Sequence, residues 1–104
     1  KLYQEFHPAV IRMLAYIIKE GKANDCKVSL CGEMGGDPLA VPLLIGLGLE
    51  ILSVSPSIVP LIKSIIRKIK YKDALLLADK CLTYTTEKEI INELNLFYNS
   101  IIEN

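Results

Sequence analysis

Lys27–Asp37 reads KVSLCGEMGGD, and the rest of the chain is organised around this stretch. Val28, Ser29, Leu30 and Cys31 read as a short buried strand. Gly32 ends it, the Gly35-Gly36 pair makes a sharp turn, and Asp37 caps a helix that opens with Pro38. A strand running into a glycine turn and a helix N-terminus places Cys31 at the strand's carboxyl end. Chemistry gathers at that end in open α/β sheets and in α/β barrels. The Cys31 sulfur is therefore the first candidate for a reactive atom. The plainer reading is a small buried residue.

Before this stretch, Pro8 is a good first helical residue. Val10, Leu14 and Ile17 follow at i, i+4 and i+7, with Ile11 and Ile18 beside them, so the spacing predicts an amphipathic helix ending near Gly21. After it, Pro38 to about Leu47 is apolar nearly all round and must be covered on most sides. Gly46 and Gly48 are expected to close that helix, and a second strand follows at Glu50–Val54. Ser55-Pro56-Ser57 is a stop followed by a helix start. Ile58, Ile62, Ile65 and Ile69 then mark one helix face, with Lys63, Arg67, Lys68, Lys70 and Lys72 as a basic cluster that reads as a solvated face. Residues 72–82 place Ala74, Leu77, Ala78 and Cys81 on one face. Thr86-Glu87-Lys88-Glu89 has the form of a capping box, and Ile90, Leu94, Phe97 and Ile101 follow with helical period.

The expected order is αβαβααα, an α/β class. Two strands joined through a helix are expected to be parallel, with a right-handed crossover. A two-stranded sheet is marginal by itself, so the pattern implies part of a larger parallel sheet or barrel. Such a part is expected to self-associate, or to lay the Thr86–Ile102 helix over its exposed apolar surface.

The chain has 104 residues, 51% of them apolar, with 12 basic and 12 acidic side chains. That balance gives no electrostatic footprint for nucleic acid and no polybasic membrane anchor. No apolar run reaches the roughly 20 residues a membrane helix needs. The chain begins at Lys1 with no initiator Met or signal peptide in view, which reads as excision from a longer chain. Cys26, Cys31 and Cys81 are odd in number and lack CxxC spacing, which disfavours a disulfide framework or a zinc site and suits a cytoplasmic location.

The segment LCGEMGGDPLAVPLLIGLGLEILSVSPSIVPLIKSII closely resembles the end of the phosphoenolpyruvate-binding domain of the enzyme I family, the phosphoenolpyruvate–protein phosphotransferases of bacterial sugar uptake. LYQEFHPAVIRML fits the segment just before it, and TTEKEIINELNLFYN fits the family's C-terminal tail. A more distant likeness is to pyruvate phosphate dikinase, which shares the Cys-Gly-Glu turn. The resemblance implies that residues 1–104 are the last two β/α units of a (β/α)8 TIM-type barrel plus C-terminal helices. It implies phosphoenolpyruvate and magnesium (Mg2+) at the carboxyl ends of the strands. The phosphoryl group is expected to pass to a histidine of a separate domain and then to the carrier HPr, and a homodimer is expected.

By motif, Cys31 matches the cysteine that protonates the pyruvate enolate. A thiol fits that task when burial keeps it protonated. Gly32, Gly35 and Gly36 either bring backbone N–H groups near an anionic substrate or merely permit the turn. Glu33 either lies near the metal or holds the turn by hydrogen bonds, and Asp37 reads as an N-cap rather than a ligand. His7, Cys26 and Cys81 inherit no role. Arg12 and Arg67 match none of the family's substrate-binding arginines, and its acidic metal ligands fall upstream of Lys1. The chain alone is therefore expected to be inactive. The alternative reading is a non-catalytic interaction or dimerisation module; an independent thiol enzyme pairing Cys31 with His7 has no support from spacing.

Overall fold

The structure, a computed structural model, describes residues 6–30 and 37–103. Helix α1 spans Pro8–Ala23, with His7 as its N-cap: the imidazole Nδ1 accepts from the Ala9 N–H at 3.1 Å, and Pro8 occupies the first turn. Its buried residues are Pro8, Ile11 and Ile18, with Leu14 packed beside them. Val10 and Ile17, which the spacing placed on the core face, are exposed instead, together with Met13 and Tyr16. The helix carries two apolar stripes, and periodicity alone does not say which one finds a partner.

Strands β1 (Ser29–Leu30) and β2 (Ile51–Leu52) pair in parallel, Ser29 opposite Ile51 and Leu30 opposite Leu52. The parallel expectation holds; β2 is shorter than Glu50–Val54 and β1 starts at Ser29 rather than Lys27, while Cys31 lies outside the described residues. Beyond the two rungs, the Ser53 N–H still donates to the Leu30 carbonyl at 2.9 Å.

Helix α2 spans Val41–Leu47, starting after a turn rather than at Pro38. Asp37 holds that turn twice: Oδ1 accepts from the Leu39 N–H at 3.0 Å, and its carbonyl accepts from the Ala40 N–H at 2.9 Å. Pro42 sits in the first turn, where its missing N–H has no intrahelical partner to lose. Gly48 caps the other end at φ 98°, a left-handed geometry that favours glycine, and the Leu49 N–H reaches back to the Leu44 carbonyl at 3.0 Å. Gly46 does not close the helix; it lies inside it.

A single 3-10 turn (Pro56–Ile58) leads into α3 (Val59–Lys68), whose Ile62 and Ile65 are buried. Helix α4 (Tyr71–Cys81) buries Ala74, Leu77, Ala78 and Cys81, the face expected from spacing. Helix α5 (Glu87–Ile102) begins with the complete capping box: Thr86 Oγ1 accepts from the Glu89 N–H at 3.2 Å, and the Glu89 carboxylate accepts from the Thr86 N–H at 3.1 Å.

The apolar helix α2 is covered as its composition demands, chiefly by α4. A Cβ placed on Gly46 would collide with the Ala74 carbonyl and stand 2.9 Å from the Ala78 Cβ, so the two main chains run in direct contact. The α5 helix, expected as the main cover, closes the other side of the core through Ile90 and Leu94. Each fully buried Leu or Ile contributes roughly 1.5–3 kcal/mol. A second cluster joins Val41 to Ile62, Ile65 and Ile101, and half-buried Leu52 and Phe97 touch both clusters. Phe6 is buried in the main cluster; its N–H donates to Glu87 Oε2 at 3.3 Å, and Arg12 Nη1 donates to the Tyr84 carbonyl at 3.5 Å.

Candidate active site

Parallel pairing puts the carboxyl ends of β1 and β2 on the same edge of the sheet. From that edge the chain passes from Leu30 to Cys31, and from Leu52 to Ser53. The Ser53–Leu30 hydrogen bond locks the two exits together. Cys31, Gly32, Glu33, Gly35 and Gly36 lie outside the described residues. Asp37 is described; its carboxylate holds the turn before α2 rather than capping the helix, whose N-cap is Ala40. Ser53 escaped the residue-level reading; the only signal for it was its place in the second expected strand, Glu50–Val54.

The other singled-out residues are dispersed. His7 is exposed, with Nδ1 engaged in capping α1. Cys26 is an exposed free thiol after α1. Cys81 is buried between α4 and the core, and burial pushes its thiol up to about 11, with the Glu93 carboxylate adding to the rise and Lys80 opposing it. A thiol held protonated in this way is a packing residue, not a nucleophile. Arg12 is committed to the Tyr84 carbonyl, and Arg67 lies in the last turn of α3. Glu93 ties α4 to α5, accepting from the Tyr84 hydroxyl at 2.9 Å and pairing with Lys80 at 3.4 Å. The hydrogen bond to Glu93 raises the Tyr84 phenol above its usual range.

Among the described residues, no three His, Cys, Asp or Glu side chains gather into a cluster that could hold a metal ion. A cavity of about 270 Å³ opens between α2, β2 and α3, lined by aliphatic side chains such as Leu44, Ile45 and Ile66, with Glu50 on its wall. It offers no cation to a phosphate or carboxylate. No helix among the described residues is long and apolar enough to cross a membrane.

The family model described as "PEP-utilising enzyme, PEP-binding domain" matches residues 1–71. A phosphoenolpyruvate-protein phosphotransferase of Mycoplasma pneumoniae is 41% identical over 97 residues, 93% of this chain and 17% of the relative. One of Haemophilus influenzae is 39% identical over 89 residues, 86% of this chain and 16% of the relative. An Escherichia coli protein named for the phosphoenolpyruvate-dependent phosphotransferase system is 38% identical over 96 residues, 92% of this chain and 13% of the relative. The chain thus spans about one sixth of the length of the relatives it matches.

Proposed function

Because the chain belongs to the PEP-utilising enzymes, through their PEP-binding domain, we propose that it acts as the C-terminal part of a phosphoenolpyruvate–protein phosphotransferase. In this reading β1 and β2 are the last two strands of a (β/α)8 barrel. The observation that carries the reading is the parallel β1–β2 ladder joined through α2, with Ser53 bonded to Leu30 at its carboxyl end. That arrangement supports a place for Cys31, the next residue after Leu30, at the end of the sheet where barrel enzymes work.

The proposed step is proton transfer. When the phosphoryl group leaves phosphoenolpyruvate for a histidine of another domain, and then goes on to HPr, the enolate of pyruvate remains. Its carbon–carbon π pair takes the proton from Cys31 Sγ, forming the methyl C–H bond while the enolate oxygen becomes the ketone. The thiolate left behind regains a proton from solvent. Gly32, Gly35 and Glu33 belong to this proposal as the turn that holds Cys31 against substrate. Magnesium and the arginines that would bind phosphate and carboxylate are assigned to parts of the relatives that this chain does not span, so the chain alone does not turn over. The outward stripe of Val10, Met13, Tyr16 and Ile17 is assigned to contact with those same parts or with a second copy.

The test is made in the longer protein. Cys31→Ala is expected to slow pyruvate formation by about 10²- to 10⁴-fold, the usual contribution of a positioned acid. Cys26→Ala is expected to leave it unchanged. Equal rates for the two variants would return Cys31 to a packing role.

A further inference from the structure

Helices α4 and α5 do not close against each other along their outer side. One opening of about 280 Å³ is bounded by Lys68, Lys70, Asp73, Phe97 and Ile101. A second of about 290 Å³ is bounded by Asp73, Leu76, Lys80, Glu93 and Phe97. They share Asp73, Phe97 and Ser100, so they form one trough. The spacing explains it: Asp73, Leu76, Leu77 and Lys80 recur at i, i+3, i+4 and i+7 on α4, and Glu93, Phe97, Ser100 and Ile101 make the facing stripe on α5. Ten helical steps from Lys70 to Lys80 give the trough a length of about 15 Å.

Its two ends differ. At the far end, Glu93 is already paired with Lys80 and bonded to Tyr84. At the near end, Lys68 and Lys70 stand exposed, and neither cation enters an ion pair among the described residues. Between the ends lies apolar surface: half-buried Phe97, and Leu76, which is 63% exposed.

From this we infer that the α4–α5 trough is a docking site for a short acidic segment of a partner protein, carrying an aliphatic or aromatic anchor. Carboxylates of the segment meet Lys68 and Lys70, and the anchor covers Leu76 and Phe97. A length of about 15 Å accommodates about five extended residues. Charge complementarity selects the partner: at the open end two cations, Lys68 and Lys70, stand against a single carboxylate, Asp73 in the first turn of α4, and no ion pair joins them among the described residues. This inference does not depend on the role proposed for Cys31.

The test uses the 104-residue chain with a fluorescein-labelled pentapeptide, Glu-Glu-Leu-Glu-Phe, followed by anisotropy. Saturable binding is expected, weakening about tenfold in the charge-reversal variant K68E/K70E and with added salt. Leu76→Ala is expected to weaken it severalfold, while Met13→Ala on the remote face of α1 leaves it unchanged. All substituted side chains are exposed, and circular dichroism confirms that each variant is folded. Absence of saturable binding overturns the proposal. So does equal binding by K68E/K70E, or equal binding of the peptide with Lys in place of Glu. Displacement of the peptide by anionic lipid vesicles as readily as by unlabelled peptide also overturns it, because the face would then be a general polyanion surface.

Discussion

Replacing Gly46 by Ala isolates the close approach of α2 and α4. In an exposed helix the change is stabilising, by at most about 1 kcal/mol. Here the added methyl collides with the Ala74 carbonyl and sits 2.9 Å from the Ala78 Cβ. Overpacked side chains typically cost about 1–3 kcal/mol. The upper end applies, because the obstacle is main chain in the middle of a helix and cannot rotate away. To relieve it, α4 must withdraw from Leu43 and Leu44, loosening Leu77 and Cys81 in the same cluster. The net expectation is a loss of about 2 kcal/mol. For a chain of this size that corresponds to a fall in Tm of about 8–16 °C. Urea and thermal unfolding, followed by circular dichroism at 222 nm, measure it directly. If Gly46→Ala equals or exceeds the wild type in stability, helix propensity alone governs the position, and the direct contact between main chains is refuted.

Three further outcomes are expected. Thr86→Ala removes the acceptor for the Glu89 N–H and is expected to cost about 1 kcal/mol in urea unfolding. Separately, hydrogen bonds from Thr86 and Thr85 hold the Glu89 carboxyl below its usual range, so the stabilisation by the carboxylate is present above the unfolded value near 4.5 and is lost as pH falls through the folded one; acid unfolding of Thr86→Ala is expected to show a shallower slope there. Cys81 gives the opposite window. Its thiol stays protonated up to about 11 when folded but ionises near 9.0 when unfolded, so stability is expected to fall as pH rises from 9 to 11, more steeply in the wild type than in Cys81→Ala, where only the raised Tyr84 phenol still contributes. Thiol labelling at neutral pH is expected to modify exposed Cys26 at once and Cys81 only on unfolding.

Much of the helical architecture was legible because single apolar stripes repeat cleanly. Ala74, Leu77, Ala78 and Cys81 leave α4 one way to face the core, and the Thr86–Glu89 box marks the start of α5 without reference to tertiary structure. Legibility failed where the sequence offers two equivalent choices. Helix α1 has Val10, Met13 and Ile17 on one side and Ile11, Leu14 and Ile18 on the other, and only the packed neighbours decide between them. Gly46 read as a terminator because glycine ends helices more often than it permits their contact; its role depends on Ala74, 28 residues away in the chain. At the candidate site, spacing places Cys31 after a strand, but only the motif gives it a task.

The hydrogen bond from Phe6 to Glu87 joins residues 81 positions apart, and that from Arg12 to Tyr84 joins residues 72 apart. On a ribosome adding about 5–20 residues per second, Phe6 is made about 4–16 s before Glu87. Through that interval Phe6 and Ile11 await Ile90 and Leu94, the side chains that complete their cluster. Core assembly is therefore a late event in synthesis: α1 and the strands emerge with their apolar faces uncovered and settle only when α5 arrives. Contacts this remote in sequence also slow folding of the free chain, since the whole intervening length must be ordered before they form.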